Sequence, residues 1–348
     1  YGMQNFEDVI KEDCFYVDKT PFIEDIENSN MYFFYLRPRR FGKSLTLSML
    51  ENYYDINKKD DFETIFGGLY IGKNPTPEHN SYLVIHLNFA EVDSGLDDYK
   101  EGLDTHCRLV FEDFCTRYAA LLPQGTKEEM KSEQGAIAQL RFLCQKCAEV
   151  KQKIYLFIDE YDNFTNMILS SEEHLERYKG QTHGEGYLRR FFNTIKGAAN
   201  TSLGRIFVTG VSPVTMDDLT SGFNIGTNYS LAPEFNELTG FTEEEVRDML
   251  SYYAGVLPFN HTVDKLIEIM KPWFDNYCFA INSYGKTTMY NSIMVLNFID
   301  NYIDYEYNIS NKMVESNIRI DYSKIRMLIR HDKEFAHDAS IIQELVTK

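Results

Sequence analysis

The chain alternates short apolar runs with longer segments in which apolar residues recur at helical spacing. Four apolar runs have the length and composition of buried strands, namely residues 31–36, 82–89, 154–160 and 205–210. Helical patterns lie between them, at about residues 43–54, 95–122, 133–150 and 184–199. Residues 228–235 predict one further strand. Strands that alternate with helices predict an α/β fold with a doubly wound parallel sheet, which binds ligands at the carboxyl ends of its strands.

After residue 236 the pattern becomes helical. Thr242 and Glu245 have the spacing of a capping box, and Thr262 is suited to cap the next helix. Two more helices are predicted at residues 288–304 and 313–330. We therefore expect a large α/β domain at residues 1–235, followed by a smaller helical lid domain at residues 236–348.

The aromatic residues that precede the last two helices also predict packing. They are expected to be core residues that join the lid to the sheet, rather than residues that stack on a base: Trp273, Phe274, Tyr277 and Phe279.

The most informative polar motif is Gly42-Lys43-Ser44, between the strand at 31–36 and the helix at 43–54. In a phosphate-binding loop, backbone N–H groups at a helix N-terminus hold phosphate oxygens. The lysine reaches the outer phosphates, and the hydroxyl of the serine ligates Mg²⁺. This context predicts that Lys43 and Ser44 bind a nucleotide and its metal ion.

The loop departs from the common pattern, which places a first glycine at position 37. That residue is Arg37, followed by Pro38, Arg39 and Arg40. Arginine offers planar, bidentate donors to phosphate, so these side chains would supply part of what glycine-exposed amides usually provide. The alternative is that the tripeptide is incidental and that the arginines form a solvated turn.

A second motif supports the nucleotide interpretation. The apolar strand at residues 154–160 ends in Asp159 and Glu160. In phosphate-loop enzymes an acid at this position holds Mg²⁺ opposite the loop serine. A following glutamate can orient and deprotonate the attacking water. We therefore predict that Asp159 binds metal and that Glu160 is the base; an ordinary strand capped by surface acids is the alternative.

These segments together resemble the predicted AAA-ATPase-like family. The resemblance covers most of the chain and rests on Phe15–Thr20, Arg37–Leu45, Phe157–Asp162, Val208–Val211, Leu238–Thr242 and Trp273–Tyr277. It implies an ATP- and Mg²⁺-binding P-loop NTPase of the additional-strand class. Family members often carry a PD-(D/E)XK nuclease domain, but we expect no nuclease site in these 348 residues.

The resemblance also assigns roles to individual residues. The loop that binds the nucleotide would comprise Arg37, Pro38, Arg39, Arg40, Phe41, Gly42, Lys43, Ser44 and Leu45. In the additional-strand class, the strand at 205–210 lies between the loop strand and the acid strand. Thr209 or Ser212 would then sense the outermost phosphate, unless that segment is only a structural turn. Lys19 and Thr20 would also reach the nucleotide, unless Asp18 merely stabilises a turn there.

Composition limits the partners. The net charge of −18 disfavours nucleic-acid binding by this chain alone, because the one clear basic cluster is the loop. The sequence shows neither a membrane-spanning run nor a signal peptide, so we expect a cytoplasmic protein without a membrane partner. Of six cysteines, Cys144 and Cys147 have metal-ligand spacing, but no second pair follows, and reduced thiols are expected.

Two functions remain after this reasoning. The first is a Mg²⁺-dependent ATPase that controls a partner or an appended effector domain, where the partner is an effector protein or a second copy of the chain in a homo-oligomer. The second is a nucleotide-gated switch or scaffold that binds ATP or ADP with negligible turnover. Glu160 favours hydrolysis, because a module that only binds nucleotide has no need of a base.

Overall fold

The computed structural model describes residues 2–92, 99–163, 186–198, 201–211 and 226–309. The helix predicted at residues 313–330 and the candidate sensor Ser212 lie outside these ranges.

A five-stranded parallel sheet forms the centre of the larger unit. Its strands are β1 Tyr32–Leu36, β2 Tyr82–Asn88, β3 Lys153–Asp159, β4 Leu203–Gly210 and β5 Thr227–Asn228. Their order across the sheet is β2-β3-β4-β1-β5. Strand β4 thus lies between the loop strand β1 and the acid strand β3, which confirms the predicted additional strand and the doubly wound α/β class. This order brings the ends of β1 and β3 to the same edge of the sheet.

Nine helices among the described residues belong to this part of the chain. They are α1 Phe6–Lys11, α2 Phe22–Asn28, α3 Lys43–Tyr54, α4 Phe62–Phe66, α5 Tyr70–Lys73, α6 Tyr99–Arg117, α7 Thr126–Ser132, α8 Ala136–Glu149 and α9 Tyr187–Ala198. The pattern predicted at 95–122 extends beyond the C-terminal end of α6, which lies at Arg117, and residues 95–98 lie outside the described ranges. The helix predicted from residue 133 begins three residues later, because Gly135 has a φ of 82° and separates α7 from α8.

Successive side chains along each strand point to opposite faces of the sheet, and both faces are buried. On β2, the side chains of Leu83, Ile85 and Leu87 face a core shared with α6, α8 and α9. Val84, which points the other way, joins a second core with α1 and α3. Because both faces are buried, each inner strand reads as a continuous apolar run, which explains why the sequence predicts these strands well.

The last strand is much shorter than predicted. Strand β5 has two residues rather than the whole of 228–235. The Asn228 carboxamide oxygen accepts hydrogen bonds from the N–H and hydroxyl of Ser230, an Asx turn that ends the strand. Pro233 then begins a 3₁₀ turn.

Three helices form a separate apolar core at the C-terminal side. They are α10 Glu243–Val256, α11 Val263–Phe274 and α12 Ser292–Asp304, with a small antiparallel pair, β6 Asp275–Tyr277 and β7 Met289–Tyr290. Thr242 and Glu245 form the predicted capping box of α10, and Thr262 caps α11. We call residues 236–309, which contain these three helices and the β6–β7 pair, the lid.

Burial of the lid aromatic residues corrects one prediction. Phe274 is fully buried, whereas Trp273 is 53% exposed and is not a core residue. The inward positions of α11 are Leu266, Met270 and Phe274. Trp273 lies three residues after Met270, at the edge of this stripe, so helical spacing alone does not predict its exposure.

Within the described ranges, no helix is both long and apolar enough to span a bilayer. Cys144 and Cys147 are buried in α8, and burial raises the pKa of the Cys144 thiol to about 11.

Candidate active site

The loop from Arg37 to Gly42 connects β1 to the N-terminus of α3. Gly42 has a φ of 90°, a left-handed conformation that glycine adopts without a steric penalty. Among the described residues, no side chain caps α3 at this point. The N–H groups of its first turn, together with the positive end of the helix dipole, suit an anion.

Lys43, the first residue of α3, reaches back into the loop. Its Nζ donates hydrogen bonds to the backbone carbonyls of Arg37 and Pro38, both at 3.2 Å. The same Nζ lies 3.9 Å from Oε1 of Glu160. Burial lowers the pKa of Lys43, while the neighbouring Glu160 and Asp159 oppose that shift. The ammonium group thus lies between the loop and the acids, where it can exchange carbonyl partners for phosphate oxygens.

Ser44 and Asp159 meet across the sheet edge. The Ser44 hydroxyl donates a hydrogen bond of 2.7 Å to Oδ2 of Asp159, which is 2% exposed. Hydroxyl and carboxylate oxygens are the ligands that Mg²⁺ prefers. Their separation suits two groups that bind one small cation or its water shell, so the donor set fits this metal.

Glu160 extends from the end of β3 in a constrained backbone conformation. Its φ is 50°, which is uncommon for a residue other than glycine, and its N–H donates to Oδ1 of Asp159 at 2.8 Å. Burial raises the pKa of Glu160, and the positive charge of Lys43 partly offsets this effect. A carboxylate held in this way can accept a proton from a water molecule beside it.

A cavity of about 820 Å³ opens over these groups. Its floor includes Ser44, Asp159 and Glu160, and its walls come from the N-terminal segment around Phe15 and from the lid around Leu296. The volume lies in the range of ligand pockets, about 300–1,000 Å³. Its lining thus combines charged and polar groups with apolar side chains such as Phe15 and Leu296, as a nucleotide requires.

The structure separates the three loop arginines. Arg39 and Arg40 line the cavity. Arg37 is 1% exposed, and its guanidinium donates hydrogen bonds to the carbonyls of Leu36, Ser230 and Phe235. It lies between the rings of Tyr35 and Phe279, at 4.1 and 4.0 Å from their centroids. The prediction that the Arg37 side chain contacts phosphate is therefore wrong, because both terminal nitrogens of the guanidinium bond to carbonyls inside the protein and Arg37 does not line the cavity.

The remaining loop residues have different surroundings. Phe41 is fully buried against Tyr277 and Phe279, with ring centroids 4.7 and 5.3 Å apart. Leu45 lines the cavity. Pro38 contributes its backbone carbonyl, which accepts a hydrogen bond from Nζ of Lys43.

Thr209 does not face the cavity. It is fully buried, and its hydroxyl donates to the carbonyl of Tyr35 on the neighbouring strand at 2.7 Å. This contact contradicts the sensing role for Thr209, since its hydroxyl stabilises the sheet instead.

The two candidate residues of the N-terminal segment, Lys19 and Thr20, also have different surroundings. The Thr20 hydroxyl donates to Asp18, whose carboxylate also accepts from the N–H of Thr20, so the alternative of a structural turn is correct for Thr20. Lys19 lines the cavity and forms a partly buried ion pair of 2.6 Å with Glu245 of the lid.

Sequence reasoning missed the lid residues that contact the loop backbone. The N–H of Gly240 donates to the carbonyl of Phe41, and Asn291 and Ser292 donate to the carbonyls of Arg39 and Arg40. These partners lie about 200 to 250 positions away in the sequence, as with Asn291 and Arg39 at a separation of 252. No local pattern marks them.

The chain is similar in sequence or in structure to several known proteins. It is 25% identical over 277 residues to a protein from Azotobacter chroococcum mcd 1, described as an uncharacterized protein in the vnfD 5′ region. That match covers 79% of this chain and 48% of the other, so the chain spans about half the length of that relative.

Two archaeal structures are more distantly similar. Cdc6p from Pyrobaculum aerophilum has a TM-score of 0.33 at 12% identity, covering 72% of this chain and 50% of that one. The ORC2 protein from Aeropyrum pernix, solved as ADPNP–ADP complexes, has a TM-score of 0.36 at 7% identity, covering 92% and 68%.

A family model described as Predicted AAA-ATPase matches residues 1–220. This range contains β1 to β4, the loop and both acids. The chain therefore belongs to the predicted AAA-ATPase family.

Proposed function

We propose that this chain binds ATP with Mg²⁺ over the carboxyl ends of β1 and β3 and hydrolyses it to ADP and phosphate. The observation that carries the proposal is the convergence of two pairs at one sheet edge. Ser44 meets Asp159 at 2.7 Å, and Lys43 approaches Glu160 at 3.9 Å. Phosphate binding, metal binding and proton acceptance are thus available within one cavity.

Each group has a role that follows from its chemistry. Lys43 and the α3 N-terminus would neutralise phosphate charge, with Arg39 and Arg40 at the cavity wall. Ser44 and Asp159 would hold Mg²⁺, which when bound neutralises charge on the phosphate oxygens. Glu160 would orient the attacking water and accept its proton, leaving an uncharged carboxyl beside Lys43.

The wider proposal concerns regulation and organisation. We assign residues 1–235 to the ATPase domain and residues 236–348 to the lid domain, in a cytoplasmic protein. ATP turnover would control a partner or effector protein, or a second copy of this chain. The Lys19–Glu245 ion pair supports such control, because it joins the wall of the cavity directly to the lid.

The second candidate is a nucleotide-gated switch with negligible turnover. One observation favours it: Lys43 hydrogen-bonds two loop carbonyls, and Ser44 hydrogen-bonds Asp159, so the protein groups satisfy one another. A ligand must replace these contacts, and the replacement itself can change the conformation.

A pair of variants separates the two functions. Glu160→Gln should retain binding of a fluorescent ATP analogue and lower phosphate release about 10²–10⁴-fold, the contribution typical of a general base. Lys43→Ala should lose binding and turnover together. Glu128→Gln, a change at an exposed glutamate on α7, is the matched control and should match the parent.

Three results would decide against ATP hydrolysis. Turnover of Glu160→Gln at the parental rate would exclude Glu160 as the base. Tight binding without phosphate release by the parent would favour the switch. Absence of binding by the parent, with Lys43→Ala indistinguishable from it, would end both proposals.

A further inference from the structure

We propose that Asn291 is a positioning residue, which couples the conformation of the phosphate loop to that of the lid. The inference rests on the proposed function, because it concerns regulation of the same nucleotide site. Its basis is a set of direct hydrogen bonds between the loop backbone and the N-terminus of α12.

The contacts involve two consecutive loop carbonyls. Nδ2 of Asn291 donates to the carbonyl of Arg39 at 3.3 Å, and Asn291 is 2% exposed. The carbonyl of Arg40 accepts from the N–H of Ile293 and from the hydroxyl of Ser292, both at 3.4 Å. The first turn of α12 thus donates to the loop that would enclose the phosphates.

Asn291 is fixed from both ends of its side chain. Its carboxamide oxygen accepts from the N–H of Met294 at 3.3 Å, which makes Asn291 the N-cap of α12. Its own N–H donates to the carbonyl of Phe274 at the end of α11. One residue therefore joins the loop, the start of α12 and the end of α11, so a shift of the loop at Arg39 either breaks this hydrogen bond or moves the start of α12.

The loop has a reason to shift when a nucleotide binds. Nζ of Lys43 donates to the carbonyls of Arg37 and Pro38, and a polyphosphate competes for the same ammonium group. Loss of that donor releases the segment that leads directly to the two carbonyls bound by the lid. Arg40 also has a φ of 68°, a conformation that surrounding contacts must maintain.

The chain carries its own reporter of lid conformation. Trp273 is the one tryptophan in the sequence and lies at the end of α11, half exposed and adjacent to Phe274. A change in the packing of α11 against α12 should alter its fluorescence. Nucleotide binding can be followed separately with a fluorescent ATP analogue excited at a wavelength that does not excite tryptophan.

Two substitutions divide the roles of Asn291. Asn291→Asp keeps an oxygen that caps α12 but lacks the Nδ2 donor to Arg39, whereas Asn291→Ala removes both functions. Asn308→Asp, at an exposed position of the lid, is a matched control with the same chemical change.

We expect the parent and Asn308→Asp to change Trp273 emission when ATP with Mg²⁺ binds. Asn291→Asp should still bind the analogue, about two- to tenfold more weakly, as expected for one lost hydrogen bond. Its Trp273 response at saturation should be lost, and amide hydrogen exchange in the first turn of α12 should no longer depend on nucleotide.

The outcomes separate this inference from the proposed function. If Asn291→Asp binds nucleotide and keeps the full Trp273 and exchange responses, the coupling role is refuted. If the parent binds nucleotide but shows neither response, it is refuted as well, although the nucleotide site stands. If the parent binds no nucleotide, the proposed function fails and this inference fails with it.

Discussion

Replacing Arg37 with alanine should destabilise the fold rather than remove a phosphate contact. The guanidinium donates to the carbonyls of Leu36, Ser230 and Phe235 at 2.9, 2.6 and 2.8 Å. It is also sandwiched between two aromatic rings. These contacts connect the start of the loop to the segment that follows β5, so their loss affects the packing of the sheet edge.

The magnitude follows from two opposing effects. Hydrogen bonds from a charged donor contribute about 1.5–3 kcal/mol each, which sets an upper bound of about 9 kcal/mol for three. Removal of Arg37 also removes the cost of burying its charge, which is several kcal/mol. We therefore expect the Arg37→Ala substitution to lower the free energy of unfolding by about 2–4 kcal/mol.

Urea unfolding followed by circular dichroism measures this change, and Arg39→Ala provides the contrast. Arg39 is exposed and lines the cavity, so its loss should weaken nucleotide binding with little effect on unfolding. An Arg37→Ala protein that keeps the parental unfolding free energy but does not bind nucleotide would refute the structural role. It would support the prediction that Arg37 contacts phosphate.

Three further changes test other parts of the structure. The Glu51 carboxylate lies 2.6 Å from His86; burial alone would lower the pKa of His86, but this partner raises it overall. The ion pair stabilises the fold fully below the unfolded pKa of about 6.5, and this effect disappears as pH rises through the raised folded pKa. The loss of stability caused by His86→Gln should therefore shrink in thermal melts as pH rises above about 6.5. Gly210→Ala should lower the melting temperature, because its Cβ would lie 2.3 Å from Oδ1 of Asp162; an unchanged melting temperature would contradict this packing. Thr242→Ala should lower the unfolding free energy by about 1 kcal/mol through loss of the α10 cap, and Thr242→Ser should restore it.

The sheet and the motif positions were predictable because their signals are local. A strand buried on both faces is a continuous apolar run, and the four long strands lie within two residues of their predicted bounds. Capping boxes are local too, and both predicted caps of the lid are present. Lys43, Ser44, Asp159 and Glu160 could be brought together in advance, because parallel strands that end at one edge place their following residues near one another.

The two errors at the candidate site concern side chains whose partners are distant in the sequence. The charge of Arg37 suggested a phosphate ligand, but its acceptors include carbonyls 193 and 198 residues away. Thr209 was placed at the correct strand end, yet its hydroxyl bonds to Tyr35 on the adjacent strand. Side-chain chemistry alone does not determine whether a polar group faces a cavity or another part of the protein.

The placement of Arg37 changes how the loop obtains its shape. In the common pattern a glycine at this position lets the backbone approach phosphate closely. Here Arg37 fixes the start of the loop to the segment after β5, while Gly240 and Asn291 hold its centre from the lid. The loop conformation therefore depends on contacts from both sides, and the lid would form part of the proposed phosphate site rather than only a cover over it.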